Sequence, residues 1–236
     1  MADGIYVGMS AAMARAAQID AIADNLANVD SPGFKGVRPT FSSFLPPGGP
    51  TDKILCGAVG SAIDMQPGTT ETTSEPTDVT PDGDLFFAVQ MAGGKVGYTR
   101  NGHILAGSDG ILHIAGLPVL STTGDIISVP PGNDVMIDPT GEVRTGRQVV
   151  GSLALWSSSG PMDRLGKSLL APSAGTQMNQ VADGSVRVGE LELGNISALE
   201  STVQLIGAQR NYELAIQAIQ TYRQLDQTAV KAGLVR

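Results

Sequence analysis

The sequence predicts an α+β fold, in which long N- and C-terminal α-helices pack as a coiled-coil-like pair and enclose an inserted, mainly antiparallel β domain. Near both ends, apolar residues recur at alternating steps of three and four, the period of a helical face that repeats as a heptad. In the middle, turn signals recur every roughly 6 to 15 residues with β-rich runs between them, which is typical of hairpins. With 236 residues, 42% of them hydrophobic and 16% charged, the chain can bury a sizeable core.

The first helix is predicted over residues 4–27. It ends before Pro32, because proline pushes Ser31 out of the helical region and Gly33 permits a positive φ. Small residues on its apolar stripe would let another helix approach closely. The stripe comprises Ile5, Met9, Ala12, Ala16, Ile19, Ala23 and Leu26.

An extended connector is predicted over residues 36–81, where Pro, Gly and Thr are frequent and helical tendency is low. Its Pro- and Gly-rich residues 46–50 would lead away from the terminal helices, and residues 67–81 would enter the β domain. A disordered linker is the alternative for both parts.

The β domain is predicted over residues 82–195. It opens with an apolar strand at 82–90, continues through an alternating strand at 149–156, and ends with a strand at 185–193 that returns the chain to the terminal helices. Glycines mark the turns between these runs: Gly102, Gly110, Gly116, Gly124 and Gly141.

The closing helix is predicted over residues 196–236 and is apolar on several faces. Its main stripe comprises Leu205, Ala208, Tyr212, Ala215, Ile219 and Tyr222. A second face carries Leu199, Val203 and Ile206, and a third carries Leu214, Ala218 and Leu225. At roughly 60 Å, such a helix is too long for one small domain to cover. Two hypotheses therefore stay open: a helical hairpin within a monomer, or burial on neighbouring copies.

Composition argues against several function classes. A formal net charge of −8 with no basic run is unsuited to nucleic acid. The single cysteine, Cys56, excludes an intramolecular disulfide, and the two histidines, His103 and His113, lack the spacing of a zinc site. We therefore predict no enzyme, no catalytic residue, no cofactor and no metal. A hydrolase that uses Cys56 and His103 is the weakest alternative.

The first residues lack a basic segment followed by an apolar one, and no run of about 18 apolar residues occurs. We expect neither a cleavable signal peptide nor a membrane span.

Residues 24–35, Asp-Asn-Leu-Ala-Asn-Val-Asp-Ser-Pro-Gly-Phe-Lys, resemble the N-terminal signature of the flagellar rod and hook family, the axial proteins of the bacterial flagellum. The Tyr-Thr-Arg motif at residues 98–100 is similar to that of the family's central domain. Residues 199–203 and 208–213 resemble its C-terminal signature, although residues 194–196 read Gly-Asn-Ile where Ser-Asn-Val is usual. The resemblance covers nearly the whole chain.

This resemblance implies a structural subunit of the basal-body rod, which polymerises through its terminal helices into the drive shaft that transmits motor torque to the hook. It implies partners among other copies and other rod proteins, a location in the rod across the periplasm, and transit through the flagellar type III export apparatus. A single β domain of this size fits either a proximal or a distal rod protein. The compact chain, and the lack of a long acidic and Leu-rich stretch after Phe34, favour the proximal kind, and the distal rod is the alternative.

The predicted assembly interface combines both helices with the turn between the first helix and the connector, whose side chains would hold the helix end against neighbours; a simple helix stop is the alternative for the asparagines. It comprises Ile5, Met9, Ala12, Ala16, Ile19, Ala23, Asn25, Leu26, Asn28, Pro32, Gly33, Phe34, Leu199, Val203, Leu205, Ile206, Ala208, Arg210, Tyr212, Ala215, Ile216, Ile219 and Tyr222. A secreted module that binds a ligand through its β domain is the alternative function, but it has no need of two heptad helices.

Overall fold

The computed structural model describes residues 2–44, 55–130 and 134–233. Residues 46–50 of the predicted extended connector, residues 234–236 of the closing helix and the side chain of Cys56 lie outside the described part. The chain forms helix α1 (Ala2–Ala27) and helix α2 (Ala198–Gly233), with all strands between them. The strands are β1 (Val37–Phe44), β2 (Leu55–Ile63), β3 (Thr70–Thr72), β4 (Val79–Pro81), β5 (Leu85–Gln90), β6 (Val96–Thr99), β7 (Ile104–Ala106), β8 (Leu112–Ile114), β9 (Leu117–Pro118), β10 (Val135–Ile137), β11 (Glu142–Thr145), β12 (Gln148–Ser152), β13 (Leu155–Ser158), β14 (Met162–Arg164), β15 (Leu169–Pro172), β16 (Met178–Gln180), β17 (Val186–Val188) and β18 (Glu190–Glu192).

The terminal helices pack on each other, which confirms the predicted pair and the α+β class. Gly4 of α1 lies against the ring of Tyr222, and Gly8, one turn later, lies against Ile219, so the two helices run antiparallel. Helix α2 begins two residues later than predicted, because Ser197 caps it. The Ser197 hydroxyl accepts a hydrogen bond from the Glu200 amide at 3.4 Å.

The chain divides into two compact units. Unit 1 comprises Met1–Ala27, Val37–Ala62 and Ile196–Arg236, and unit 2 comprises Asn28–Gly36 and Ile63–Asn195. Strands β1 and β2 form a two-stranded sheet, so much of the segment predicted as a connector is paired structure that belongs with the helices. The predicted domain boundaries stay a prediction, since compactness does not show which part folds independently.

Unit 2 is built on a six-stranded sheet in the order β14-β15-β6-β5-β13-β16, in which every neighbouring pair is antiparallel. Two three-stranded sheets, β7-β8-β9 and β10-β11-β12, and two pairs, β17-β4 and β18-β3, complete it. The strands between the terminal helices are therefore mainly antiparallel, as predicted.

Strand β5 explains why residues 85–89 form an unbroken apolar run. Phe87 and Val89 lie in the larger core, while Phe86 and Ala88 point to the opposite face and lie in a second core with Tyr98. A strand that is buried on both faces needs apolar side chains at consecutive positions.

Four of the five predicted turn glycines have a positive φ: Gly110, Gly116, Gly124 and Gly141. Two predicted strands are wrong as single elements. Residues 149–156 are divided between β12 and β13, which belong to different sheets. Residues 185–193 are divided between β17 and β18, because Gly189 breaks the strand with a φ of +74°. In residues 185–193 the apolar positions shift by one at the break, from Val186 and Val188 to Leu191 and Leu193. A single strand keeps one period of two, so this change of phase indicated two strands.

Within the described ranges, neither helix is long and apolar enough to cross a membrane. Among the same residues, no group of three or more His, Cys, Asp or Glu is placed to hold a metal ion.

Candidate assembly surface and buried ionic cluster

The main stripe of α2 faces α1 over part of its length. Ala208 and Ile219 are buried, while Leu205 and Ala215 are half-buried. The two tyrosines of the stripe remain partly exposed, Tyr212 at 36% and Tyr222 at 42%. The contact with α1 therefore buries one face of α2, and the residues at the border of that face stay accessible to solvent.

The α1 side of this contact is rotated from the predicted heptad. Ala12 is buried as predicted, but Met9 is exposed, and the buried residues include Gly8 and Ile22, which lie off the predicted stripe. A straight helix has 3.6 residues per turn, so a stripe of period 3.5 drifts around it along its length. The other predicted positions divide by exposure: Ile5, Ala16, Ile19 and Leu26 are half-buried and Ala23 is exposed.

Glycine makes the close approach of the helices possible, and the sequence analysis missed it. A Cβ atom at Gly8 would lie 2.7 Å from Ile219 Cγ1, and one at Gly4 would lie 2.6 Å from the Tyr222 ring. Two glycines four residues apart on a predicted helix were the available signal, since they lie on one face.

The outer faces of α2 carry large apolar side chains that the chain itself leaves in solvent. Leu199 is 78% exposed, Val203 63% and Ile206 52%, and these three form the predicted second face. On the third face, Leu214, Ala218 and Leu225 are also exposed. Of the remaining predicted α2 positions, Arg210 is exposed and Ile216 is half-buried. Large apolar side chains that are exposed together on one helix face are more often found where another molecule binds than on a free surface.

The predicted turn at the end of α1 is used within the chain. The Asn25 side-chain amide donates to the Val37 carbonyl at 2.8 Å, and its oxygen accepts from the Val37 amide at 2.9 Å, so it joins α1 to β1. Beyond the helix, Asn28 and Gly33 are buried and Phe34 is completely buried in unit 2, while Pro32 is half-buried. The burial of these residues fixes the segment that follows α1 within unit 2.

Next to Phe34 lies a buried ionic cluster of Lys35, Arg100 and Glu192, to which the sequence analysis gave no role. Lys35 Nζ lies 2.6 Å from Glu192 Oε1, and Arg100 Nε donates to Glu192 Oε2 at 2.7 Å. The Gly68 amide also donates to Glu192 Oε1 at 3.1 Å. The signal available was the charge of Lys35 and Arg100 within the two motifs of the family.

Burial and pairing compete in this cluster. Burial raises the pKa of Glu192, but its hydrogen bonds and attraction to Arg100 and Lys35 outweigh burial and hold the pKa below its ordinary value. For Lys35, burial lowers the pKa and prevails over the stabilising contact with Glu192. The carboxylate is thus strongly held as an anion, whereas the buried ammonium is charged at a cost.

The fold and these surfaces define a structural α+β subunit with paired terminal helices and an inserted β region. The family model described as "Flagella basal body rod protein" matches residues 5–35, and that of the "Flagellar basal body rod FlgEFG protein C-terminal" matches residues 187–232.

Whole-chain relatives agree with these matches. The chain is 32% identical over 235 residues to the flagellar basal-body rod protein FlgF of Salmonella typhimurium and 33% identical over 237 residues to FlgF of Escherichia coli, covering 93% of each chain in both comparisons. It is 26% identical over 263 residues to the flagellar basal-body rod protein FlgG of Bacillus subtilis, covering 98% of both chains. The chain belongs to the flagellar basal-body rod protein family, as its motifs predicted.

Proposed function

We propose that the chain is a structural subunit of the flagellar rod of the FlgF, proximal kind, and that it polymerises through α1 and α2 into the shaft that carries torque to the hook. The exposed apolar face of α2 formed by Leu199, Val203 and Ile206 is the observation that carries this proposal. Apolar side chains of this size gain roughly 1.5–3 kcal/mol each on full burial, so neighbouring subunits can supply what the chain lacks.

The partners in this proposal are other copies and other rod proteins of the proximal and distal kinds. Contacts between successive subunits would be heterologous and would not close, which produces a helical array. The subunit would reach the rod in the periplasm through the flagellar type III export apparatus. Its role is structural and requires neither catalysis nor a cofactor.

The similarity to FlgF proteins supports the proximal kind over the distal kind. Identity to the two FlgF relatives is 32% and 33%, compared with 26% for the FlgG relative of Bacillus subtilis. In strains that lack either the FlgF or the FlgG gene, we expect this chain to restore swimming only to the first. Restoration of the FlgG strain alone would reassign the chain to the distal rod.

A charge on the exposed face tests assembly directly. Val203→Asp is expected to abolish swimming in the complemented FlgF-deficient strain, because an unpaired carboxylate would be buried between subunits. The purified variant should unfold at the same urea concentration as the wild type, since Val203 is exposed in the single chain.

Gln209→Asp is the matched control, because Gln209 is an exposed polar position of the same helix. It should leave swimming intact. Normal swimming by the Val203→Asp strain would contradict a role for this face of α2 in assembly.

A further inference from the structure

The covalent chain passes between the two compact units at four places, which we call the crossings. They lie between residues 27 and 28, 36 and 37, 62 and 63, and 195 and 196. Any force that travels along the backbone from the helices into unit 2 passes through these crossings. The bonding of their unit 2 ends therefore bears on how a rod subunit carries load.

Three of the crossings meet at the side chain of Asn195. The Gly36 amide donates to Asn195 Oδ1 at 2.7 Å, and Asn195 Nδ2 donates to the carbonyls of Asp64 at 2.7 Å and Gln66 at 3.0 Å. The Asp64 amide in turn donates to the Gly36 carbonyl at 2.8 Å. The side-chain amide of Asn195 thus uses both its oxygen and its nitrogen to join three segments of the chain.

The fourth crossing reaches the same place through close packing. A Cβ atom at Gly194 would lie 2.9 Å from the carbonyl oxygen of Val29, so only glycine lets the two backbones come this close. The backbone amide of Asn195 also donates a hydrogen bond to the Phe34 carbonyl at 3.3 Å. The chain just after α1 is therefore held against the chain just before α2, within unit 2.

The ionic cluster forms a second layer on the same segments. Lys35 Nζ donates to the Gln66 carbonyl at 2.7 Å as well as to Glu192, and the Gly33 amide donates to the Glu192 carbonyl at 2.7 Å. Arg164 donates to the Lys35 carbonyl, and its guanidinium lies over the Phe34 ring at 4.4 Å. Every segment that enters or leaves unit 2 is bonded to another one.

We propose that Asn195, together with Lys35, Arg100 and Glu192, forms a clamp that holds the unit 2 ends of the four crossings at fixed spacing. Asn195 is a positioning residue, because it acts by fixing where the chain leaves unit 2. The clamp itself is a property of the single chain, whereas its importance for carrying load rests on the proposed rod function.

Hydrogen exchange on the full-length chain in dilute solution tests the clamp. Asn195→Ala removes three side-chain hydrogen bonds between crossings, so amide exchange in residues 33–36 and 64–68 should rise roughly tenfold while β5 and β13 stay protected. Asn179→Ala, the same change at an exposed position of unit 2, should change neither. Unchanged exchange at the crossings, or a rise throughout unit 2, would overturn the clamp.

Two further variants separate the clamp from general stability. Asn195→Asp keeps the acceptor for Gly36 but loses both donated bonds, so its exchange should rise in residues 64–68 more than in residues 33–36; an equal rise contradicts the assigned geometry. Val143→Ala truncates a completely buried core residue, and should not raise exchange selectively at the crossings.

Swimming of the complemented strain tests the load-bearing role. If exchange at the crossings rises in Asn195→Ala but swimming is normal, the clamp carries no load and this part of the proposal is overturned. If the wild-type chain itself fails to restore swimming, the proposed rod function is overturned, while the exchange result still decides whether the clamp exists.

Discussion

At the scale of single residues, Glu192 is the anion that the two buried cations of unit 2, Lys35 and Arg100, share. It is almost fully buried and accepts hydrogen bonds from Lys35, Arg100 and Gly68. A buried ionic cluster adds less net stability than its short distances suggest, because each charge loses its hydration. Removing one member is nevertheless expensive, since the remaining charges stay buried without compensation.

Glu192→Gln is expected to lower the free energy of unfolding by about 3 kcal/mol, because it leaves two buried cations without their anion. Urea unfolding at pH 7 measures this loss. Glu142→Gln removes a half-buried carboxylate that pairs with the exposed Arg144, and it should cost far less stability because solvent screens this pair. Equal losses in the two variants would show that burial of the cluster has no energetic weight.

The same cluster predicts how stability depends on pH. The folded pKa of Glu192 lies below its ordinary value of 4.5, so its stabilisation is complete above the ordinary value and is lost as the pH falls through the folded pKa. The folded pKa of Lys35 is also lowered from 10.5, so a charged Lys35 costs stability that returns as the pH rises toward the ordinary value.

Both groups therefore make stability rise with pH. Between pH 6 and pH 3 the wild type should lose more stability than Glu192→Gln, in urea titrations of both proteins. If Glu192→Gln loses as much stability at low pH as the wild type, other carboxylates are responsible for that loss.

At the scale of elements, the helix pair depends on the absence of side chains at two positions of α1. Gly4 and Gly8 weaken the helix by roughly 1 kcal/mol each relative to alanine. Their value lies in the approach of α2, whose Ile219 occupies the space next to Gly8. Packing therefore overrides helix propensity here.

Gly8→Leu is expected to destabilise the helix pair by about 1–3 kcal/mol, although leucine is the better helix former, because the new side chain collides with Ile219. Circular dichroism at 222 nm during thermal unfolding measures the loss. The matched variant is Gly207→Leu in α2, where a Cβ atom would meet nothing within 4 Å, and it should be neutral or stabilising. A neutral Gly8→Leu would contradict the close packing.

At the scale of the whole molecule, the two units differ in how much of their apolar surface the chain itself buries. Helix α2 has 36 residues and α1 has 26, and residues 223–232 of α2 are almost entirely exposed. Unit 2, by contrast, contains both described hydrophobic cores. The helices should open first in a dilute solution of the single chain.

Limited trypsin digestion with mass spectrometry tests this difference. Cleavage after Arg210 and Arg223 of α2, both exposed, should be at least roughly tenfold faster than cleavage after the buried Arg100 of unit 2. In assembled rods the α2 sites should become resistant. If the whole chain resists equally in dilute solution, the helices are satisfied within the monomer and a self-contained binding module gains ground.

Sequence patterns alone predict the two terminal helices, the antiparallel strands of the middle and the family. These follow from local rules: a heptad needs a helix, a turn such as Asp109-Gly110 needs a positive φ, and an ordered motif such as residues 24–35 is specific. The exposure of Leu199 and Val203 also agrees with the several apolar faces read from the sequence.

Which residues of those elements contact each other became known from the folded chain. Nothing local to Lys35, Arg100 and Glu192 shows that they share one buried cluster, because Lys35 and Glu192 are 157 positions apart. The rotation of the α1 contact toward Gly8, and the convergence of three of the crossings on Asn195, likewise depend on long-range packing. Periodicity specifies which face of an element is apolar, whereas the partner of that face is chosen by the three-dimensional arrangement of the whole chain.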